Sequence, residues 1–214
     1  MILHIPELLT KQQVQSIRQA MEQDNQWVSG KSTAGGQAQQ IKNNLQIDAG
    51  SELYQQLSQF VCQQIKHAPL MQSFALPKEI LPPMFNCYQG GGTYGNHVDN
   101  TVQQNRFTRQ TVRTDVSTTV FLSDPDDYQG GELVVEDTYG AHEVKLAAGD
   151  AIVYPSTSLH RVEPVTQGRR LAAFLWTQSL VRDAWQRTML FELDMTILTL
   201  RQQLGDSPEV LNLT

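Results

Sequence analysis

Between residues 77 and 178 the chain is a series of short segments rich in β-forming residues, separated at near-regular intervals by turn signals. The segments are PMFNCY, VSTTVFLS, GELVVED, HEVKLAA, AIVYPS and RRLAAFLWTQ. Between them lie GGGTYGN, DPDDYQGG, TYGA, AGD and TQG, which are groups typical of turns. Several short strands with turn chemistry between them favour an antiparallel sandwich or barrel. The sequence therefore predicts an all-β body over residues 77–178.

Helical patterns precede this body. Thr10 and Gln13 have the spacing of a capping box, and the apolar residues that follow predict a helix over residues 11–24. A second helix is predicted after Ser51 and ends at the sequence HAP, with one apolar face formed by Leu53, Leu57, Phe60, Val61 and Ile65. Residues 29–44 are rich in Gly, Ser, Gln and Asn without a strong hydrophobic period, which predicts a polar loop.

A helical pattern also follows the β body. Its apolar residues step by three and four, Gly205 stands at the C-cap position, and Pro208 blocks continuation; the stripe is Leu190, Leu193, Ile197, Leu200 and Leu204. The predicted fold is mainly β with flanking helices. Its parts are an N-terminal helical buttress with a polar loop (1–76), a β domain (77–178) and a C-terminal helix (179–214). The C-terminal stripe could face the sheet or a second subunit, so an oligomer through this helix is possible.

Composition excludes several classes of protein. The net charge of −6 and the pI of about 5.3, without a run of Lys and Arg, predict no binding to nucleic acid or to an anionic membrane. The longest apolar run is the six residues LAAFLW, whereas a transmembrane helix needs about 20. The start of the chain does not resemble a signal peptide. We therefore expect a cytoplasmic protein in which Cys62 and Cys87 are reduced thiols.

The first candidate site lies in the stretch CYQGGGTYGNHVDN, residues 87–100. On an extended strand, the side chains of residues i and i+2 point to the same side. His97 and Asp99 can therefore reach one metal ion together, while Val98 points to the opposite face. We expect the glycines before them to bend the chain into the mouth of the barrel and bring backbone close to the metal.

A second histidine extends this candidate site. His160 follows the strand-like segment DAIVYP, and no cysteine lies near either histidine. Two histidines and one carboxylate are the facial ligand set of non-haem iron(II) oxygenases, which leaves open positions on the metal. A zinc site with three protein ligands and one water uses the same residue types, so the ligand types alone leave both metals open.

An arginine at the start of the last predicted strand is a candidate for binding an anion. In RRLAAFLW, Arg170 shares a face with Phe174 and Trp176, whereas Arg169 lies on the other face. One of the two arginines must point into the body, and a buried guanidinium needs an anion because an unpaired buried charge is costly. A carboxylate fits its planar fork with two hydrogen bonds.

These segments, with the C-terminal VRDAWQRTMLFELDM, together resemble the iron(II)/2-oxoglutarate oxygenases of the prolyl 4-hydroxylase type. Within that group the chain looks like the bacterial PKHD-type hydroxylases linked to iron uptake. The resemblance implies a double-stranded β-helix, or jelly roll, with Fe(II) ligands at His97, Asp99 and His160. It also implies that Arg170 binds the C5 carboxylate of 2-oxoglutarate, that Tyr88 faces the same pocket, and that L-ascorbate keeps the iron reduced. Tyr88 could equally be a core aromatic residue.

The activity that the resemblance implies is hydroxylation of a small molecule or a protein side chain, with release of succinate and CO2. Two alternatives remain open. The first is a non-catalytic jelly roll that senses iron or 2-oxoglutarate, and the second is a zinc or manganese cupin that does not use 2-oxoglutarate. Fold and cosubstrate do not identify the hydroxylated substrate.

Other candidate residues favour structural roles. His4, His67 and His142 have no partner at ligand spacing, and they are expected at the surface or at helix ends. Asp150 is expected to be structural, and Arg109 and Arg113 are expected to be solvated rather than to bind an acidic substrate. The polar loop 29–44 is the hypothesis for a lid that contacts the substrate, because long polar loops near active sites often close over them.

Overall fold

The protein, described here by a computed structural model of residues 1–23, 27–33 and 35–214, is built mainly from β-strands. The strands are β1 (Leu3–Ile5), β2 (Trp27–Ser29), β3 (Lys42–Asn43), β4 (Leu45–Ile47), β5 (Pro77–Ile80), β6 (Met84–Gln89), β7 (Gly92–His97), β8 (Val102–Gln104), β9 (Thr111–Arg113), β10 (Val116–Phe121), β11 (Tyr128–Gly130), β12 (Leu133–Asp137), β13 (Gly140–Val144), β14 (Ala151–Pro155) and β15 (Leu159–Ser179). The α-helices are α1 (Lys11–Gln23), α2 (Glu52–His67), α3 (Pro69–Ala75), α4 (Ala184–Leu204) and α5 (Pro208–Leu211). Short 3₁₀ helices span Gly30–Thr33, Gly36–Gln39 and Pro125–Asp127.

Two antiparallel sheets share the long strand β15. The larger sheet has the strand order β1-β14-β10-β15-β6-β4-β2, with β5 also paired to β15. The smaller sheet contains β13, β12, the first half of β15, β7 and β3, and β11 pairs with the middle of β15. An apolar cluster with members from both sheets, including Phe121, Leu133 and Val165, fills the space between them. The predicted jelly roll is confirmed.

The segment TQG, predicted as a turn, lies inside β15. Gln129 pairs with Gln167 and Gly130 with Val165, so Thr166 is an extra residue in β15. Gly168 has a φ of +72°, and a Cβ there would lie 2.0 Å from the carbonyl oxygen of Asp127. A bulge bends a strand without ending it, which lets β15 pass from one sheet to the other. The turn prediction was wrong because a bulge and a turn use the same residue types.

The glycine turn in CYQGGGTYGN also carries the chain between sheets. Gly90 and Gly91 have φ values of +55° and +83°, and they join β6 of the larger sheet to β7 of the smaller one. Gly92 begins β7 where a Cβ would lie 3.1 Å from the carbonyl oxygen of Asn43. The second half of this predicted turn is therefore strand, and its glycine allows the close approach of β3.

The two predicted N-terminal helices are present. Thr10 and Gln13 form the capping box of α1, with the Thr10 amide 2.8 Å from the Gln13 side-chain oxygen, and Ser51 caps α2. The sequence did not predict α3, which begins at Pro69 directly after α2 ends. The helices pack on the outer face of the larger sheet, in a core that includes Met21, Val61, Phe74 and Leu175.

The C-terminal helix α4 has the predicted end at Gly205, but its stripe is largely exposed. Of the stripe, Ile197 is buried, whereas Leu190, Leu193 and Leu204 are exposed. The helix packs on α3 instead through Phe191, whose ring lies 5.3 Å from that of Phe74, and through Asp194, which accepts a hydrogen bond from Ser73. The position of α3, which the sequence did not reveal, decides which face of α4 is buried.

The predicted polar loop 29–44 was wrong in part. Its described residues include the end of β2, two 3₁₀ helices and β3, which pairs with β7. Residues 1–76 thus supply strands to both sheets as well as helices, and the division into three parts stays a prediction. None of the described helices is long and apolar enough to cross a lipid bilayer. Cys62 and Cys87 are free thiols.

Candidate active site

The pairing of β7 with β15 brings the two candidate histidines together. His97, the last residue of β7, lies directly opposite His160 in the antiparallel register. Asp99 follows two residues later, outside the strand. One ligand atom from each of the three residues lies within 4.8 Å of the others. The sequence placed Asp99 on the strand; the structure places it just beyond, on the same side as His97.

Both histidines are oriented by backbone carbonyls. Nδ1 of His97 lies 2.8 Å from the carbonyl oxygen of Gly95, and Nδ1 of His160 lies 3.0 Å from that of Ser158. A carbonyl oxygen only accepts hydrogen bonds, so each Nδ1 carries the proton and donates it. Each Nε2 therefore keeps its lone pair free for a metal ion, which is the tautomer that a ligand needs.

The Asp99 carboxylate is held by a hydroxyl pair. Ser117 donates a hydrogen bond of 2.6 Å to Oδ2 of Asp99, and the Ser156 hydroxyl lies 2.8 Å from that of Ser117. The same Oδ2 lies 3.8 Å from Nε2 of His160. Because both serines are buried, the carboxylate is fixed by protein groups rather than by bulk water.

Aromatic side chains enclose the histidines. The ring of Tyr94 stacks on that of His97 with centroids 3.6 Å apart, and the ring of Tyr154 lies 5.3 Å from that of His160 at 64°. Burial, and next the charge of His160, lower the pKa of His97 well below its ordinary value. His97 is therefore neutral at pH 7 and can coordinate a metal without first losing a proton.

Arg170 is a buried cation with unused donors. Its side chain is only 2% exposed, and its Nε and Nη2 make no hydrogen bond. Its guanidinium carbon lies 5.4 Å from the ring centroid of Tyr88 and 5.3 Å from that of Phe121. Among the described residues no carboxylate lies within ion-pair distance of it, which is the environment expected of a site for an anionic ligand. Arg169 is exposed.

Tyr88 lies in the same cavity as Arg170. It is buried, and burial raises its pKa to about 12, so its hydroxyl stays protonated and can donate a hydrogen bond at neutral pH. It also packs in the apolar cluster between the sheets. Both roles considered for this residue are therefore compatible with its position.

One cavity connects these groups. It is lined by the three candidate metal ligands, by Tyr88 and Tyr94, and by the inward face of β15, formed by Arg170, Ala172, Phe174 and Trp176. Alternation along RRLAAFLW grouped these four residues on one face, and the family resemblance indicated that this face points inward. Ligands at the metal position and at Arg170 would therefore share one enclosed space, which is the arrangement that a chelating 2-oxo acid with a distal carboxylate needs.

Several cavity residues were not predicted from the sequence, above all Lys42. In the segment IKNNLQI, Lys42, Asn44 and Gln46 are buried, whereas Ile41 is 40% exposed. Over residues 41–44 the side chains alternate between exposed and buried, but the polar Lys42 and Asn44 are the buried ones, which is the reverse of the usual pattern. No pattern in the sequence indicated that Ser117 or Tyr94 lies in the site.

The remaining histidines and charged candidates lie apart from the cavity. Nε2 of His4 is 2.7 Å from Oδ2 of Asp150, and the Glu7 amide donates a hydrogen bond to the other carboxylate oxygen, Oδ1, so Asp150 holds the N-terminal segment as a structural residue. His142 pairs with Asp137, and Nδ1 of His67 contacts the Gln63 carbonyl. Arg113 pairs with Asp115, and Arg109 is an exposed residue with a φ of +62°.

Comparison with known proteins agrees with this geometry. Residues 83–178 match the 2OG-Fe(II) oxygenase superfamily, and residues 184–214 match the PKHD-type hydroxylase C-terminal domain. A PKHD-type hydroxylase of Hyphomonas neptunium is 58% identical over 214 residues, which cover all of this chain and 94% of the relative.

Solved structures of similar fold are 2-oxoglutarate oxygenases. A Pseudomonas putida prolyl-4-hydroxylase superposes with a TM-score of 0.58 at 21% identity, covering 83% of this chain and 92% of that one. A prolyl hydroxylase from Trichoplax adhaerens, in complex with a hypoxia inducible factor peptide fragment, gives 0.59 at 18% identity, covering 88% and 86%. The fold and the full-length identity together show that the chain belongs to the PKHD-type hydroxylases, a family of iron(II)- and 2-oxoglutarate-dependent dioxygenases.

Proposed function

We propose that His97, Asp99 and His160 hold the iron(II) of this dioxygenase, and that Arg170 binds the C5 carboxylate of 2-oxoglutarate. The observation that carries this proposal is a pair of sites in one cavity. Two Nε2 atoms and a carboxylate converge on one side, and the guanidinium with unused Nε and Nη2 donors lies on the other. When bound, iron(II) and 2-oxoglutarate would supply, together with dioxygen, the chemistry that hydroxylates a C–H bond: one oxygen atom would enter the substrate and the other would enter succinate, with release of CO2.

The chain's own residues would orient these groups and exclude water. The carbonyls of Gly95 and Ser158 keep both Nδ1 atoms protonated, and Ser117 holds the Asp99 carboxylate. Arg170 lies in an apolar wall that includes Phe121, which strengthens its attraction for a carboxylate because little water competes there. Tyr88 would add a hydrogen-bond donor beside the guanidinium.

The biological setting is also part of the proposal. We propose a cytoplasmic enzyme whose substrate is a small molecule or a protein side chain, with L-ascorbate keeping the iron reduced and with a role in iron homeostasis. The resemblance to PKHD-type hydroxylases supports this setting. Thr33, Gly35 and Lys42 line the cavity, which supports the hypothesis that the segment 29–44 contacts the substrate as a lid. We also propose that two copies of the chain associate through the exposed leucines of α4, and the exposure of these leucines is the observation that supports it.

The competing functions differ in their products. A sensing module would bind iron and 2-oxoglutarate without turnover, and a metal cupin would ignore 2-oxoglutarate. The unpaired Arg170 favours a 2-oxoglutarate enzyme over the cupin, because the cupin gives the buried charge no partner.

Succinate formation tests the proposal. The protein is incubated aerobically with iron(II), ascorbate, 2-oxoglutarate and pools of candidate substrates, and succinate is quantified together with hydroxylated product. We expect succinate and product in equal amounts from the wild type and from His142→Ala, whose histidine is exposed and outside the site. Asp99→Ala should form neither. Iron and 2-oxoglutarate binding without succinate from any pool would favour the sensor, and product formed without 2-oxoglutarate would favour the cupin.

A further inference from the structure

Lys42 is a second buried cation in the cavity, separate from Arg170. It lies on β3, next to β7, where it is paired with Tyr94, and it is only 2% exposed. Its Nζ lies 4.9 Å from the ring centroid of Tyr94 and 5.7 Å from that of Phe174. The amine therefore lies between the smaller sheet and the larger one, over an aromatic wall.

The amine is positioned by a hydrogen-bonded chain of neutral groups. Nζ donates to the Thr33 hydroxyl at 3.1 Å, and that hydroxyl lies 2.7 Å from the side-chain oxygen of Gln46. Gln46 in turn donates to Asn86 at 2.7 Å. These groups fix where the amine points without neutralising it, and they leave two of its three N–H donors for another ligand.

The charge of Lys42 has no ion-pair partner among the described residues. Burial lowers its pKa to about 8, so the amine is still largely protonated at pH 7. The carboxylate that acts on it from a distance is that of Asp99, and the guanidinium of Arg106 opposes it. A buried ammonium group without an ion-pair partner favours the binding of an anion.

Lys42 and Arg170 lie at different places along the cavity. Phe174, which Nζ overlies, is four residues from Arg170 on β15, or about 13 Å at about 3.3 Å per residue. Phe174 packs edge-on against Trp176, with centroids 5.3 Å apart, and the indole N–H of Trp176 is buried without a hydrogen-bond partner. The end of the cavity away from Arg170 therefore has aromatic walls, a cation and an unused N–H donor.

We propose that Lys42 binds a carboxylate of the hydroxylated substrate, so that the substrate class of this enzyme is carboxylic acids, either free acids or acidic protein side chains. The inference rests on the proposed function in one respect, namely that 2-oxoglutarate occupies Arg170 and leaves Lys42 to the substrate. Two buried cations then hold two different carboxylates at different places in one cavity.

Binding by matched acids and amides tests this proposal. The protein is loaded anaerobically with iron(II) and 2-oxoglutarate, and its visible absorption is recorded. A charge-transfer band there reports that the 2-oxo acid chelates the iron(II). It is then titrated by calorimetry with 3-phenylpropanoate and 3-phenylpropanamide, and with capped tripeptides that carry a central Glu or Gln. We expect one of the two acids to bind at least about tenfold more tightly than its amide, as expected for a charge-assisted hydrogen bond. The free acid and the peptide distinguish the two sources of the carboxylate.

Variants assign the preference to Lys42. Lys42→Met should remove the preference for the acid and leave 2-oxoglutarate affinity unchanged, whereas Lys42→Arg should keep the preference. Lys66→Met, at an exposed lysine of α2 outside the cavity, should behave as the wild type. Equal binding of acid and amide, or failure of both acids to bind, would overturn the proposal. So would a tenfold loss of 2-oxoglutarate affinity in Lys42→Met. A wild type without the charge-transfer band would instead refute the proposed function.

Discussion

His97 and His160 lie opposite each other across the pair β7–β15, with ring centroids 4.2 Å apart. Strand pairing, rather than a flexible loop, sets this distance, and carbonyls fix both rings. Two metal ligands are therefore already in place before a metal ion binds. The conformational entropy of ordering them is lost when the sheet folds and not when the ion binds.

Removing one of these histidines should abolish tight metal binding. We expect His160→Ala to lower iron(II) affinity by on the order of 100-fold or more, because the site loses a ligand as well as its geometry. Calorimetry under anaerobic conditions measures this loss, with the exposed His142→Ala as the control. Iron(II) at about 100 times its Kd should stabilise the wild type by about 2.7 kcal/mol, and the His160 variant should lose that gain at the same iron concentration. An unchanged affinity in the variant would remove His160 from the ligand set.

Ser117 should matter for metal binding although it is not a proposed ligand. Its hydroxyl donates to Asp99 Oδ2 at 2.6 Å, and Ser117→Ala leaves that carboxylate without the donor that orients it. We expect iron(II) affinity to fall about 10- to 100-fold. Ser117→Thr, which keeps a hydroxyl at the same carbon, should recover part of the loss. Equal affinity in the alanine variant would mean that Asp99 is held by other groups.

Arg170 should reduce the stability of the protein without ligands. Its guanidinium is buried with two unused donors, so Arg170→Met should raise the free energy of unfolding by about 1 kcal/mol or more in the absence of 2-oxoglutarate. Urea denaturation of the apo protein measures this difference. Arg169→Met, at the exposed neighbour, should change stability by less than about 0.5 kcal/mol. A marked loss of stability in Arg170→Met would show that its side chain is a structural element of the core.

Lys42 should make stability depend on pH in the alkaline range. Burial lowers the pKa of Lys42 in the folded protein from its ordinary value of 10.5 to about 8. The charge of Asp99 raises this pKa and the charge of Arg106 lowers it, each by less than burial does. Between these values the unfolded chain binds one more proton, so stability rises with pH by up to about 3 kcal/mol. The difference in unfolding free energy between wild type and Lys42→Met isolates this effect from other groups. A difference that stays constant from pH 7.5 to 10 would mean that Lys42 is solvated.

Much of this architecture followed from local patterns. The caps of α1 and α2 and the end of α4 at Gly205 depend on neighbouring residues, and each has a recognisable signature in the sequence. Alternation along RRLAAFLW grouped Arg170 with Phe174 and Trp176, and the family resemblance indicated that this group faces inward. The pairing of His97 with Asp99 followed from the spacing of the two residues alone. That His160 lies next to this pair in the fold was implied by the family resemblance.

What the sequence did not reveal depended on contacts between distant segments. The bulge at Thr166 forms because β11 pairs there, and α3 decides which face of α4 is buried. Lys42 is buried because β3 joins β7, which no local pattern indicates. A polar segment whose polar side faces inward has the composition of a loop, so the sequence did not indicate that Lys42 lies in the cavity.

Anaerobic titration of the iron(II)-loaded protein with 2-oxoglutarate, followed by visible absorption, tests whether the metal ligands and Arg170 together form one 2-oxoglutarate site. A 2-oxo acid that chelates iron(II) in a site of two histidines and one carboxylate gives a charge-transfer band. We expect the wild type and Arg169→Ala to give this band at similar 2-oxoglutarate concentrations. Arg170→Ala should need at least about tenfold more, because the C5 carboxylate loses its buried charged partner. Wild-type protein that binds iron(II) but gives no band would show that 2-oxoglutarate does not chelate the metal, and an Arg170 variant that titrates as the wild type does would show that Arg170 does not bind the C5 carboxylate.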